Sequence, residues 1–142
     1  MKKISILLLL IVGIALNASS QTRYPSVGSL QSVSSTASLT IDNRSDYSLT
    51  VKIMRTNGRG LYRTVYVGPQ SSRCVSFYNS DTFYTKTKAE KDWSVTLYRM
   101  GGVFQIQNNS EGYSEATLTF YVSSYGGTSG QGISRSEFEK DY

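Results

Sequence analysis

The side chains of this chain that could do chemistry are ten carboxylates and one thiol, and no histidine is present to serve them. Without an imidazole the commonest general base is missing, and with it the usual catalytic triads and most zinc sites. No serine lies three residues before a lysine and no Gly-x-Ser-x-Gly occurs, so the familiar serine-acylation arrangements are missing too. A paired-carboxylate glycosidase needs two acids converging in one cleft. The candidates Asp42, Asp46, Asp81, Asp92, Glu111 and Glu115 fall in turns or at outward strand positions, where solvation is the simpler account. Asp42 and Asp46 bracket a turn and offer oxygen ligands of the kind calcium takes. Neither an EF-hand loop nor an acid-glycine repeat accompanies them, and turn capping by Asp is the expected role. Cys74 has no base beside it; its parity opposite Val75 and Phe77 leaves it packed against a neighbouring layer or exposed as a cross-linking thiol, with packing the expectation. The chemistry therefore points away from an enzyme, with no catalytic residue, metal or cofactor expected.

What remains to act through is a surface, and short strands must build it. The cleanest two-residue alternation is residues 114–123, where Ala116, Leu118, Phe120 and Val122 interleave with Glu115, Thr117, Thr119 and Tyr121. Leu39 and Ile41, then Leu49, Val51 and Ile53, repeat the pattern on either side of the turn at residues 43–46, which predicts a first hairpin. Asn57-Gly58 is the strongest hairpin-turn signal in the chain. It leads to Leu61, Val65 and Val67 on one side and Tyr62, Thr64 and Tyr66 on the other. Pro69 interrupts the ladder, Val75 and Phe77 resume it, and the Thr, Tyr and Lys strand at residues 82–88 reads as an edge, where lysine discourages pairing with other chains. Val95 and Leu97 follow, and Gly101-Gly102 is read as a short hairpin into residues 103–107. About eight short strands and no room for helices within the domain predict an all-β fold, an antiparallel β-sandwich of immunoglobulin-like or related Greek-key type.

These parities turn Tyr62, Thr64, Tyr66, Tyr98, Thr117, Thr119 and Tyr121 away from the core, giving a candidate binding face of hydroxyls and aromatic plates. Tyrosine rings supply contact area at low entropic cost and stack on sugars or on a partner's peptide face. Thr and Tyr also simply suit an exposed strand. The envisaged partner is an envelope protein or a glycan. Nucleic acid is not expected, because the basic residues are scattered among acids instead of forming a stripe.

The ends of the chain are of a different kind. Met1-Lys2-Lys3, the apolar run at residues 4–16 and the small residues Ala18 and Ser20 have the order of a secretory signal peptide, too short in its apolar part to span a membrane. Its removal lowers the formal net charge from +5 to +3, and no cysteine nearby offers a lipid attachment point. The expectation is an exported product, periplasmic or extracellular, without a transmembrane anchor. Residues 21–36 form a Ser-rich leader, 37–124 the sandwich and 125–133 a Gly-rich linker. In the tail at residues 134–142, Ser134 and Glu137 have capping-box spacing and Ile133 and Phe138 occupy the hydrophobic staple positions, predicting a helix over 135–141. So short a helix is marginal alone. It must dock on its own sandwich or fold onto a partner.

The Asn-x-Ser turn with Leu-x-Val-x-Ile (residues 43–53), the Val-x-Val-Gly-Pro segment (65–69) and the Tyr-rich final strand resemble small exported β-sandwich proteins of unknown function from Gram-negative bacteria. The resemblance implies a plain sandwich and an envelope or extracellular setting, and it carries over no functional residue.

Overall fold

The computed structural model describes residues 36–93, 95–121 and 130–142. The expected signal peptide, the expected leader except Thr36, residues 122–124 at the end of the expected sandwich, including Val122, and residues 125–129 of the expected linker lie outside them. Twelve elements follow in order: β1 (Ala37–Asn43), β2 (Ser48–Arg55), β3 (Gly60–Val67), β4 (Ser71–Phe77), β5 (Asp81–Lys91), β6 (Val95–Met100), β7 (Phe104–Ile106), β8 (Asn108–Asn109), β9 (Gly112–Tyr113), β10 (Glu115–Phe120), β11 (Gln131–Gly132) and α1 (Arg135–Glu139).

The strands form a β-sandwich. A three-stranded sheet has the order β10-β1-β4, and a larger one the order β11-β6-β5-β2-β3, with β7 continuing beside β5 where β6 leaves off. Alternation sends Leu39, Ile41, Val75, Phe77, Leu118 and Phe120 from the first sheet against Leu49, Val51, Ile53, Val65 and Val67 from the second, and all are buried. At one end Phe77, Phe83 and Tyr62 pack with centroids 4.9 to 5.3 Å apart, and Phe104 extends the cluster. Among the described residues all ladders are antiparallel except β1 with β10, which is parallel. The chain between those two strands serves as the long connection that parallel pairing requires.

The expected hairpin between β1 and β2 is not one, since the two strands belong to different sheets. Asn43, fully buried, explains the crossing: its Nδ2 donates to the Tyr47 carbonyl at 2.7 Å and the Gly68 carbonyl at 2.8 Å, while its Oδ1 accepts from Ser45 N and Oγ. One amide thus ties the β1–β2 connection to the β3–β4 connection, at the end where both change sheets. The Asn57-Gly58 hairpin forms as expected, but the β2–β3 ladder shifts register between Ile53 and Met54. Leu61 is thereby paired with Met54, and Tyr62 turns toward the core.

β5 is no edge. It is flanked by β2 on one side and by β6 and β7 on the other. The Gly101-Gly102 pair is no hairpin either, because β6 and β7 run in the same direction along β5. Gly101 donates its amide to the Thr85 carbonyl at 2.8 Å, and a β-carbon there would collide with Thr85 Oγ1. At Gly102 the space is open. Gly101→Ala is therefore expected to cost about 1–3 kcal/mol in urea unfolding, as overpacking does, whereas Gly102→Ala leaves the midpoint nearly unchanged; equal effects would refute the close approach.

Candidate functional site

The outer face of the larger sheet is where most polar strand residues collect. Cross-strand pairing sets Tyr66, Thr50, Lys88 and Tyr98 in one row and Thr64, Lys52, Lys86 and Met100 in the next. Lys52 and Lys86 are buried, with Lys86 only 1% exposed. An ammonium removed from water must be met by acceptors, and the tail supplies them.

β11 pairs with β6 at Met100 and Arg99, so part of the expected linker is sheet edge. α1 then turns across the lysines. Ser134 is its N-cap and accepts from Glu137 N at 3.1 Å, as the sequence spacing implies. Phe138 is 3% exposed, lies 5.4 Å from the Tyr98 ring and has Lys52 Nζ 4.9 Å from its centroid. Lys86 Nζ donates to the Glu137 carbonyl at 2.8 Å, Glu137 Oε1 at 3.0 Å and the Lys140 carbonyl at 3.1 Å. Lys52 Nζ reaches Asp141 Oδ1 at 2.7 Å and the Glu139 carbonyl at 3.5 Å. The helix has no basic residue in its last turn. The sheet provides the cations that its terminal carbonyls attract. The Asp141 carbonyl accepts from Leu61 N at 2.8 Å, beside Gly60 at φ 74, where a β-carbon would strike that oxygen. Docking ends the helix at Glu139, two residues short of the expected end.

The seven candidate binding residues do not share one face. Thr64, Tyr66 and Tyr98 lie on the outer face just described, with Tyr98 partly covered by Phe138. Thr117 and Thr119 are on the outer face of the three-stranded sheet, across the sandwich, paired with Thr40 and Asp42. Tyr121 follows the end of β10. Tyr62 is stacked on Phe77 at 5.0 Å and donates its hydroxyl to the Ser76 carbonyl at 3.1 Å, because the register shift turns it inward. In the tail, Phe138 is buried on the chain's own sheet, Ile133 is half-buried with its amide on the Tyr98 carbonyl at 3.2 Å, and Ser134 and Glu137 hold the helix in place.

Cys74 pairs with Thr40 and is exposed, so among the described residues the packing expected for it does not occur. Asp42 is engaged by Arg44 and Ser72, and among the described residues no group of three or more possible metal ligands gathers. The sequence reading missed Lys52 and Lys86, whose outward parity resembles that of any solvated lysine. The acids Glu137 and Asp141 in an otherwise capped tail were the available signal.

Glu137 is held below the usual carboxylate value of 4.5, first by its hydrogen bond from Lys86 and then by that from Lys140. A depressed folded-state pKa means the stabilisation is fully present above 4.5 and is lost as pH falls through the lower folded value. Thermal melts from pH 7 to pH 2 should show an acid-side drop that Glu137→Gln reduces. Deleting residues 130–142 should lower the melting temperature by about 10 °C or more, and Lys86→Ala should cost about 2–3 kcal/mol, less than a wholly buried pair because Glu137 is partly solvated; an unchanged melting temperature after deletion would refute docking as a source of stability. Comparison with protein-family models, curated proteins and solved structures found no match for this chain.

Proposed function

We propose that this chain is an exported, non-enzymatic binding or structural module that acts at the bacterial cell envelope or outside the cell. Its contact surface is the part of the Tyr/Thr face left open beside the docked tail. The observation that carries this reading is Tyr66, 71% exposed in the row with Thr50, Lys88 and Tyr98. A largely exposed ring on a hydrogen-bonded strand is already ordered, so a partner covering it loses little side-chain freedom. The signal-peptide pattern at residues 1–20 and the resemblance to small exported sandwiches support the compartment.

A second reading, an inhibitor or accessory subunit docking through its loops, is favoured by one feature. Trp93 is fully exposed at the β5–β6 turn, where Asp92 and Trp93 both have positive φ, 51 and 59. That conformation is costly for a bulky side chain. The tail half of this reading loses its support, since the tail is engaged by its own sheet.

Pull-down from an envelope fraction with the mature chain, Tyr66→Ser and Trp93→Ser tests both. Loss of the captured partner with Tyr66→Ser alone supports the sheet face; loss with Trp93→Ser alone supports loop docking. Capture unchanged by either, with both variants folded by circular dichroism, would sink both surfaces.

A further inference from the structure

At the end of the sandwich where the aromatic cluster sits, the β2–β3 turn and the β4–β5 turn enclose a cleft of about 230 Å³. Its lining combines cations, a carboxylate and aromatic rings: Arg55, Arg59, Tyr62, Tyr78 and Asp81 around a floor formed by Phe83. Arg55 is fixed in two directions, its guanidinium 4.8 Å from the Tyr62 ring centroid and its Nε 3.4 Å from Asp81 Oδ2. Asp81 is itself oriented by the Thr82 amide at 2.8 Å and by Asn57 Nδ2 at 3.4 Å. Asp81 thus holds Arg55 in place while cancelling one charge. Arg59, on the tight turn, makes no ion pair among the described residues. The Arg63 guanidinium lies 6.0 Å from the same Tyr62 ring and adds to the positive field.

Two guanidiniums against one carboxylate leave the lining with a net charge of one positive, which suits a singly charged anion better than a dianion. Planar guanidinium forks match the oxygens of such a group. The aromatic residues decide what the anion is attached to. Both faces of Tyr62 are taken, one by Phe77 and one by Arg55. Tyr78, 72% exposed at the rim, offers an open ring face. Asn79 beside it supplies an amide able to donate and accept hydrogen bonds. The volume is below that of a drug-sized pocket and suits a single ring.

We propose that this cleft binds an acidic sugar ring with one negative charge, its anionic group on Arg55 and Arg59 and its ring against Tyr78. A carboxylate and a sulfate ester both supply that charge. The proposal does not depend on the sheet-face reading, which uses residues on another surface.

Calorimetric titration of the mature chain at low ionic strength tests it with an oligouronide, a sulfated oligosaccharide and a neutral oligosaccharide of equal length. Expected are binding of one or both acidic sugars and not the neutral one, weakening with added salt, and an affinity loss of about tenfold or more in Arg59→Gln, the scale of one charged hydrogen bond. The tighter of the two acidic ligands identifies the anionic group. Tyr78→Ser should weaken binding as well, and Tyr66→Ser should leave it unchanged. Three results would overturn the proposal: equal binding of the neutral sugar, an unchanged affinity in Arg59→Gln, or no acidic sugar bound. Loss in Tyr66→Ser with no loss in Arg59→Gln would transfer the ligand to the sheet face.

Discussion

A lysine ammonium that is only 1% exposed in the middle of a sheet is the constraint on which the rest of this structure turns. Lys86 sits on β5, which has strands on both sides, and across from Lys52 on β2. The inner face of β5 is closed by the opposing sheet, and its outer face must be closed by something that satisfies charge as well as covering apolar surface. The tail does both: Phe138 packs beside the Tyr98 ring with the Lys52 ammonium over its own, and Glu137, Asp141 and three main-chain carbonyls receive the ammoniums. Neither the helix nor the burial of the two ammoniums would persist alone. A five-residue helix cannot hold itself in water, and two buried ammoniums without acceptors would be driven back to solvent. Each supplies what the other lacks, which makes the C-terminal segment part of the domain.

The same coupling explains where the sequence could be read and where it could not. Strand β10 shows the clearest alternation because it is an edge strand with one dry face and one wet face, so residue type tracks burial directly. Strand β5 is central and covered on both faces, and its alternation of Thr, Tyr and Lys carries no such contrast. Lys86 and Lys88 are two residues apart on one side of a strand, yet one is buried and the other half-exposed. Only the position of α1 distinguishes them, and that depends on partners about fifty residues away. Local devices were legible: the Asn57-Gly58 turn and the Ser134 cap rest on neighbours within a few residues. The crossing at Asn43 was not, because an Asn in a turn looks the same whether it caps a hairpin or bridges two connections, and Gly68 lies 25 residues from it.

The candidate face failed to stay whole for a reason of the same kind. A register shift of one residue reverses every later side chain relative to its partner strand, and the shift between Ile53 and Met54 moves Tyr62 from the outer face to the core. Parity also says nothing about which sheet a strand joins. Thr117 and Thr119 share the outward parity of Thr64 and Tyr66, and they face solvent from the opposite side of the sandwich.

Charge then separates the two ends of the molecule. Lys52 and Lys86 are neutralised by the tail, Lys88 by Glu90 at 3.1 Å, and Lys91 has Asp46 at 3.7 Å. Arg59 and Arg63, at the hairpin end, make no ion pair among the described residues. The sheet lysines are thus matched by acids, whereas Arg59 and Arg63 keep their charge at the hairpin end beside Arg55, which is itself paired with Asp81. Arginine is suited to that role: its guanidinium lies over the Tyr62 ring and still presents planar donors. The Asn57-Gly58 turn that brings Arg59 to the same cleft as Arg55 gives this end of the sandwich its geometry, while the tail leaves Lys52 and Lys86 no unmatched charge on the sheet face.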